Sequence, residues 1–347
     1  MLAQEQVKSA NETPAIATLL QMIAGRWVSQ TIVMAAHYGI ADLLKEGAQS
    51  VDALALATQT DPKSLYRFLR ALASLGVIAE REDGQFEIAP LGIYLQTDAP
   101  VSLRSLALMF GQDWQHRVWR NLPYSLQTSQ PAFEQQFGMS FYEYFAHNAS
   151  VGQNFDEAMT SLSGTNVSAI ADAYDFSQFS RIIDIAGGHG LLLSTILKMN
   201  PGLQGILFDV PNVLEGAKTA GVIDTVRDRI DLVAGNYFEG VPQDADAYLF
   251  KLIIHDWNDD RACELLKRCY QSMPDHSKLL VIEHVIADGN EPDFGKLLDV
   301  EILLTMSGGR ERTATEYREL FASAGFKLTR IVPTQSTVSI VEGVKIL

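Results

Sequence analysis

The chain has 347 residues, of which 47% are hydrophobic, and it carries a formal net charge of −15. This length allows two domains with hydrophobic cores, and this hydrophobic content excludes an intrinsically disordered protein. The acidic surface would repel phosphate backbones and anionic membranes, so we expect neither a nucleic acid nor a membrane as a partner. The first residues lack the basic start and apolar core of a signal peptide, and no uncharged run is long enough to cross a bilayer, so we expect a cytoplasmic protein.

Residues 15–46 consist of apolar stretches with few charges between them. They predict helices that are apolar on more than one face, and such helices must be covered by other protein. Because this part of the chain is short for burying so much apolar surface by itself, we expect a second subunit to cover it in a homodimer.

Residues 50–95 predict two helices followed by a hairpin, which is the arrangement of a winged helix. Ser50 is placed to cap the first helix and Asp61 the second, and Asp83-Gly84 is placed to form the hairpin turn. A winged helix can read DNA or build a dimer. Residues 1–105 carry more acidic than basic side chains, whereas a DNA-binding face is basic, so dimerisation is favoured over a DNA-binding regulator.

Residues 100–165 are rich in aromatic side chains and methionine. Most aromatic side chains at helical spacing belong to a core, but a few here are candidates for the wall of an apolar pocket that holds a flat ring. The side chains that we expect in this wall, including one from further along the chain, are Met109, Phe110, Trp114, Phe155, Met159 and Met306.

The segment Arg181–Gly190 predicts a strand, a glycine turn and the start of a helix. The next apolar run ends in Asp209, where a second parallel strand would bring a carboxylate to the hydroxyl groups of a ribose. This spacing fits two classes of cofactor, the dinucleotides and S-adenosylmethionine. Leu193 stands where a dinucleotide site has its third glycine, which counts against NAD without excluding it. The glycines of the turn are Gly187, Gly188 and Gly190.

From Arg181 onward, apolar strands alternate with helices, which predicts an α/β sheet domain. The last two strands are joined by only a few residues, so we expect them to pair antiparallel. The predicted strands are 182–186, 205–208, 230–234, 246–252, 278–284, 327–332 and 337–343. Cys263 and Cys269 lie close together on one predicted helix, so we expect both to be free in a reducing compartment.

His255 follows one of these strands, Glu283 ends the next, and Glu311 comes after the pair Gly308-Gly309. Residues at the carboxyl ends of parallel strands face the ligand crevice of such a sheet. A histidine there can accept a proton near neutral pH, and a carboxylate bonded to one of its nitrogens fixes the tautomer and supports the charged form. The pattern predicts an acid–base site at this edge.

With these motifs, the chain resembles the homodimeric, plant-type class of S-adenosylmethionine-dependent O-methyltransferases, which includes caffeate, hydroxyindole and polyketide-tailoring enzymes. The resemblance extends over nearly the whole chain. The segments that carry it are the glycine turn at Asp184–Gly190, Phe208-Asp209-Val210-Pro211, Lys251 with His255-Asp256-Trp257, Glu283, and Gly308 to Thr313.

This resemblance implies a class I methyltransferase domain, with a Rossmann-like, mostly parallel sheet and an antiparallel C-terminal hairpin, behind a helical winged-helix dimerisation domain. It implies a dimerisation domain over residues 1–105, a helical connector that lines the substrate pocket over 106–170, and a cofactor-binding domain over 171–347. It also implies that Arg26 or Trp27 of one subunit reaches the pocket of the other.

The resemblance implies that His255 is the general base and that Glu283 and Glu311 orient it. The residues that it places at S-adenosylmethionine are Gly187, Gly188, Gly190, Asp209, Val210, Asn236, Tyr237, Phe238 and Lys251. The chain departs from the family pattern at three positions. Ala186 replaces a frequent glycine, Asn236 replaces a common aspartate, and Leu252 replaces a tryptophan that is frequent in plant members. We expect Asn236 to weaken cofactor binding. Leu252 counts against the substrates of the plant enzymes, but not against the reaction.

The expected function is metal-independent transfer of a methyl group to a phenolic or enolic hydroxyl of a small aromatic or polyketide-like molecule. The first alternative is a relative that keeps the cofactor for N- or C-methylation, or for a hydroxylase- or decarboxylase-like reaction. The others are a winged-helix regulator and an NAD-dependent oxidoreductase.

Overall fold

The structure, a computed structural model, describes residues 14–346. These residues fall into two compact units. The first contains the chain up to His116 together with Gln153–Ser161, and the second contains Arg117–Gly152 and the chain from Leu162 onward. The division predicted from the sequence, at residues 105 and 170, stays a prediction.

The first unit is helical with one small hairpin, as expected for a winged helix. The side chain of Ser50 accepts a hydrogen bond from the N–H group of Ala53, and that of Asp61 accepts one from Ser64, so both predicted caps are confirmed. The elements of this unit are α1 (residues 14–23), α2 (Gly25–His37), α3 (Ile40–Leu43), α4 (Val51–Thr58), α5 (Pro62–Ser74), β1 (Ile78–Glu80), β2 (Phe86–Ile88) and α6 (Arg104–Phe110).

Strands β1 and β2 pair antiparallel and carry the buried residues Ile78 and Phe86 into the core of this unit. The apolar side chains of α1 and the start of α2 are exposed in the single chain, Met22 by 71% and Trp27 by 76%. The apolar faces predicted for this segment are therefore present and are not covered by the rest of the described chain.

Short helices fill the segment between the hairpin and the large sheet. Helix α7 crosses the boundary between the units and α11 contributes to both. Phe133 and Phe141 are buried and their ring centres lie 5.1 Å apart, so these aromatic side chains form a core, as expected for most of the segment. These helices are α7 (Asp113–Arg120), α8 (Leu122–Thr128), α9 (Ala132–Phe137), α10 (Phe141–His147), α11 (Ala149–Gly164) and α12 (Val167–Ala173).

The second unit contains a seven-stranded sheet in the order β10-β11-β7-β6-β3-β4-β5. Strands β3 to β7 pair parallel with one another, whereas β11 pairs antiparallel with both β7 and β10, so the predicted C-terminal hairpin is confirmed. The strands are β3 (Arg181–Ile185), β4 (Gln204–Asp209), β5 (Ile230–Ala234), β6 (Ala247–Lys251), β7 (Lys278–Glu283), β10 (Phe326–Pro333) and β11 (Ser339–Lys345).

Buried apolar side chains cover both faces of this sheet, because alternate residues of each strand point to opposite sides. Ile182 packs into the cluster on one face and Ile183 into that on the other. Leu193 packs against β4, where a Cβ atom at Gly205 would lie 2.8 Å from its Cδ1 atom. The close helix–strand approach is thus provided by a glycine in the strand. The helices of this part are α13 (Leu191–Met199), α14 (Pro211–Thr219), α15 (Asp259–Ser272), α16 (Phe294–Thr305) and α17 (Ala314–Ser323).

Two further strands of two residues each, β8 (Val285–Ile286) and β9 (Arg312–Thr313), pair parallel. They were not predicted from the sequence, and they bring the segment around Glu311 to the end of β7. Cys263 and Cys269 both lie on α15 and are free, as expected. Among residues 14–346, no helix is both long and apolar enough to cross a membrane.

Candidate active site

His255 lies just beyond the carboxyl end of β6, in a short 3-10 turn over Ile254–Asp256. The parallel strands β3 to β7 end at the same edge of the sheet, so the residues that follow them converge there. His255 is 8% exposed, and its two ring nitrogens face different carboxyl groups.

The Nδ1 atom of His255 faces Glu311 and Glu283. It lies 2.7 Å from Oε1 of Glu311, which is a hydrogen bond, and 3.6 Å from Oε2 of Glu283. The other oxygen of Glu283 accepts the N–H groups of Ile253 and Ile254 at 3.0 and 2.8 Å. Glu283 therefore holds the turn with one oxygen and faces the imidazole with the other, and the predicted set of His255, Glu283 and Glu311 is brought together.

The Nε2 atom of His255 lies 3.5 Å from Oδ1 of Asp256. The second oxygen of Asp256 accepts a hydrogen bond of 2.6 Å from the hydroxyl of Tyr142 on α10. Sequence reasoning assigned neither residue a role at the site, although Asp256 stands in the segment His255-Asp256-Trp257 that it singled out. Asp256 could have been found because it adjoins His255 in the chain, whereas nothing in the sequence around Tyr142 points to this site.

The surrounding carboxyl groups control the protonation of His255. Burial alone would lower the pKa of its imidazole, but Glu283, Glu311 and Asp256 outweigh burial and raise that pKa to about 10. Burial also raises the pKa of Glu283. At neutral pH the cluster therefore favours the charged, fully protonated imidazole, whose Nδ1–H group donates a hydrogen bond to Glu311.

The same three side chains have the donor types of a metal site, since one donor atom from each of His255, Glu283 and Glu311 lies within 4.8 Å of the others. A hydrogen bond already occupies Nδ1, at the 2.7 Å separation from Glu311. A proton fits this arrangement without any movement, whereas a cation would have to displace it.

The glycine turn after β3 lies at the same edge of the sheet. Its backbone adopts positive φ at Gly188 and Gly190, and also at Ala186, where φ is 54°. A Cβ atom at Gly187 would lie 2.6 Å from Leu207, whereas one at Gly188 would meet nothing within 4 Å. The turn is thus packed on the sheet side and open on the other, which leaves room for a ligand.

Asp209 ends β4 beside this turn. Its Oδ2 atom accepts the N–H group of Gly188 at 2.9 Å, and its Oδ1 atom accepts that of Val210 at 2.7 Å. Burial raises the pKa of its carboxyl group. Asp209, the residue predicted to bind the ribose, is therefore in direct contact with the predicted glycine turn. Val210 lies next to both.

The turn after β5 carries Asn236, Tyr237 and Phe238. The amide oxygen of Asn236 accepts the N–H group of Phe238 at 3.0 Å, so one of its lone pairs is used within the turn. The ring of Phe238 packs edge-on against Trp257 at 4.9 Å between ring centres. This contact links the turn predicted at the adenine to the segment that carries His255.

Lys251 is half-buried and Asp184 is buried at the same edge of the sheet. The Nζ atom of Lys251 donates a hydrogen bond of 2.9 Å to the hydroxyl of Ser163, and burial lowers its pKa. Burial raises the pKa of Asp184 to about 7, and its Oδ2 atom has no hydrogen-bond partner among the described residues. This oxygen lies on the packed side of the glycine turn, where a Cβ atom at Gly187 would come within 2.6 Å of it.

The side chains predicted for the substrate wall are distributed over both units. Met109 and Trp114 are buried, Phe110 is 43% exposed, and Phe155 and Met159 are half-buried, all in the first unit. Met306 is half-buried in the second unit, just after α16. Their role as a wall stays a prediction.

Comparison with known proteins places the chain in a family. Residues 119–327 match the model of the O-methyltransferase domain, and residues 20–98 match that of the O-methyltransferase dimerisation domain. The chain is 43% identical to the phenazine O-methyltransferase PhzM of Lysobacter antibioticus over 96% of this chain and 97% of that one. It is also 30% identical to the phenazine-1-carboxylate N-methyltransferase of Pseudomonas aeruginosa, over 92% of this chain and 94% of that one.

Solved structures agree with these matches. LaPhzM superposes with a TM-score of 0.89 at 43% identity, over 96% of this chain and 100% of that one. CalO1, a methyltransferase in calicheamicin biosynthesis solved in its SAH-bound form, superposes with a TM-score of 0.85 at 34% identity, over 96% and 98% of the two chains. The chain therefore belongs to the family of S-adenosylmethionine-dependent O-methyltransferases and is a methyltransferase that uses this cofactor.

Proposed function

We propose that this methyltransferase acts on oxygen and that its acceptor is a phenolic or enolic hydroxyl of a small aromatic or polyketide-like molecule. The observation that carries the proposal is the imidazole of His255, which is held by a 2.7 Å hydrogen bond to Glu311 and surrounded by carboxyl groups at both nitrogens. Such a group serves a reaction in which a proton must be removed. A ring nitrogen with a free lone pair would need no base.

Residues around the glycine turn would hold the cofactor, which supplies a methyl group on a sulfonium centre. Asp209 would accept the hydroxyl groups of the ribose, and the turn of Asn236, Tyr237 and Phe238 would contact the adenine. Lys251 would also contact the cofactor, while Asp184 packs beneath Gly187. The remaining members of this set are Gly187, Gly188, Gly190 and Val210.

His255 would take the hydroxyl proton of the acceptor at Nε2, because Nδ1 is already bonded to Glu311. A phenol has a pKa of about 10, and the pKa of His255 is also about 10. Proton transfer from the phenol to the neutral imidazole is therefore close to balance, and the fraction of His255 in this active form rises as the pH approaches 10. Glu311 and Glu283 would stabilise the imidazolium that forms, and Asp256, held by Tyr142, would share the proton on Nε2.

The test compares wild type with His255→Gln, which keeps a polar side chain but cannot accept a proton. We expect kcat on a phenolic acceptor to fall roughly 10²- to 10⁴-fold, with the affinity for S-adenosylhomocysteine unchanged. His276→Gln is the control, because His276 is 71% exposed and lies before β7. Fragmentation mass spectrometry and NMR of the product locate the methyl group. A methyl group on nitrogen or carbon, or full turnover in His255→Gln, would contradict the proposal.

We also propose a homodimer built on the first unit. The exposed apolar side chains of α1, among them Leu20 at 59% and Ile23 at 68%, support it, as does the match of residues 20–98 to a dimerisation domain. The double variant Leu20→Glu with Ile23→Glu should give the mass of a monomer in light scattering. Leu126→Glu, at a leucine of the second unit that is 68% exposed, should leave the dimer intact. A wild-type monomer at micromolar concentration would overturn this proposal.

A further inference from the structure

Arg312 is among the largest wholly buried side chains of the described chain, at 0% exposure, and its guanidinium lies against the turn that carries His255. Its Nη1 atom donates to the carbonyl oxygen of Ile254 at 3.1 Å, and its Nη2 atom donates to that of Trp257 at 2.8 Å. These two carbonyl groups flank His255 and Asp256 in the chain. The guanidinium therefore holds the main chain on both sides of the imidazole.

We propose that Arg312 is a positioning residue for methyl transfer, which acts by fixing the His255 turn against Glu311. The inference rests on the proposed role of His255 as the base. Arg312 does not bond the imidazole of His255 itself. Its hydrogen bonds go to main-chain carbonyl groups and to Asp259.

Glu311, the hydrogen-bond partner of His255, is held in place by contacts of the segment that also carries Arg312. The N–H group of Arg310 donates to the carbonyl oxygen of His255 at 2.8 Å, so the two segments are also joined through their main chains. The N–H group of Glu311 donates to Oδ1 of Asp299 at 2.7 Å, and Arg312 pairs with Val285 in the β8–β9 ladder. The short contact between Glu311 and His255 thus depends on docking two segments that are far apart in the sequence.

The chemistry of the site requires an arginine. Nε and Nη2 both donate to Oδ1 of Asp259, at 2.9 and 2.8 Å, while the remaining donors reach the two carbonyl groups of the turn. Only a planar fork with five N–H donors spans this set, and a lysine ammonium is a single point on a flexible stem. A lysine would keep the positive charge but leave at least one buried carbonyl oxygen without a donor.

The carboxyl groups that face His255 are Asp256 on its own turn, Glu283 at the end of β7 and Glu311 before β9, and the titratable His284 after β7 also interacts with His255. The distance to Glu311 is the shortest of the three, so it is the most sensitive to a shift of the turn. If the turn relaxes, this hydrogen bond lengthens and the pKa of His255 falls. A merely structural arginine would change stability without changing that pKa.

The experiment uses Arg312→Lys in the full chain. We expect kcat to fall roughly 10- to 100-fold, because a small misplacement of the base is costly, while the dissociation constant for S-adenosylhomocysteine changes less than about twofold. NMR titration with isotope-labelled histidine, assigned with His255→Gln, follows the His255 pKa in the S-adenosylhomocysteine complex. We expect that pKa to fall by about one pH unit or more. This readout needs no turnover, so it separates failure of this inference from failure of the proposed reaction.

Arg229→Lys is the matched control. Arg229 also caps carbonyl groups, those of Asn200, Pro201 and Leu203 at 3.0 to 3.3 Å, but it does so at the amino end of β4. We expect this variant to lose stability without any change in the His255 pKa or in kcat at a temperature where it is folded.

Asp259→Asn supplies a second test if Arg312→Lys does not fold. The side chain of Asp259 is 60% exposed and can be changed without opening the core. We expect a smaller decrease in kcat, roughly 3- to 10-fold, with the His255 pKa lowered in the same direction. An unchanged His255 pKa and unchanged kcat, in either variant as a folded protein, would overturn the inference.

Discussion

Replacing Glu311 by glutamine removes one negative charge from the shortest contact of the candidate site and keeps the shape of the side chain. Glu311 is 1% exposed and its Oε1 atom lies 2.7 Å from Nδ1 of His255. A glutamine oxygen can still accept the N–H group of the imidazole. The variant therefore isolates the charge of Glu311 from the geometry that it imposes.

The magnitude follows from the protonation of His255. Its pKa stands at about 10 against an ordinary value of 6.5, which amounts to roughly 5 kcal/mol of preference for the charged imidazole. Three carboxyl groups share this effect. A buried hydrogen bond to a charged group contributes about 1.5 to 3 kcal/mol, so Glu311→Gln should lower the pKa of His255 by about one to two pH units. The loss of imidazolium stabilisation should lower the maximal kcat roughly 10- to 100-fold.

The assay is the pH dependence of kcat at saturating cofactor, together with NMR titration of His255. The neutral imidazole is the active base, so turnover rises with pH through the pKa of His255. In wild type the inflection should lie near pH 10. In Glu311→Gln it should lie about one to two pH units lower, with a lower plateau. Glu342→Gln is the control, because Glu342 is also a buried glutamate but lies in β11, where it bonds Tyr174, Thr329 and Arg330. An unchanged inflection in Glu311→Gln would refute the reasoning.

Two further predictions concern stability. Burial raises the pKa of Asp184 from 3.8 to about 7, so its contribution to stability is present below pH 4 and is lost as the pH rises through 7. Asp184→Asn should therefore raise the melting temperature of the cofactor-free protein at pH 8.5 by roughly 2 to 4 °C. The same variant should weaken cofactor binding in calorimetry. Glu342 has the opposite sign. Its pKa is lowered to about 2 from 4.5, so its stabilisation is present above pH 4.5 and is lost as the pH falls toward 2. Glu342→Gln should therefore cost about 1 to 3 kcal/mol at pH 7 in denaturant unfolding, discounted because its partner Arg330 is half exposed, and nearly nothing below pH 2. A melting temperature that falls in Asp184→Asn at pH 8.5, or a cost of Glu342→Gln that does not depend on pH, would contradict these assignments.

The strands of the large sheet could be predicted because each is a short apolar run bounded by turn residues. The run predicted at 182–186 is β3 (Arg181–Ile185), and the one predicted at 230–234 coincides with β5 (Ile230–Ala234). The antiparallel hairpin followed from the short connection alone. Strands β8 and β9 could not be predicted in this way, because two residues carry no periodicity and their pairing is made by the docking of distant segments.

The candidate site was partly predictable for a related reason. His255 and Glu283 follow neighbouring parallel strands, so the sheet brings them to one edge whatever the details of packing. Tyr142 could not be found, because it reaches Asp256 from 114 residues away through a helix whose position depends on tertiary packing. Arg312 stands in a segment that the sequence analysis singled out. From the sequence alone an arginine is expected at the surface, and only the structure shows that this one is buried.

The order of the strands divides the chemistry along the edge of the sheet. Most groups assigned to the cofactor lie at the ends of β3, β4 and β5, with Lys251 at the end of β6, whereas the proton-handling groups lie just after β6 and at the end of β7, on the other side of β3. Changes just after β6 and at the end of β7 can therefore alter the acceptor atom while the groups at the ends of β3, β4 and β5 stay in place. This separation gives a physical reason why relatives named as O-methyltransferases and as N-methyltransferases share one fold. In this chain the end of β6 carries a buried imidazole among three carboxyl groups, and the proposed methylation of oxygen would use it to take the proton of the acceptor.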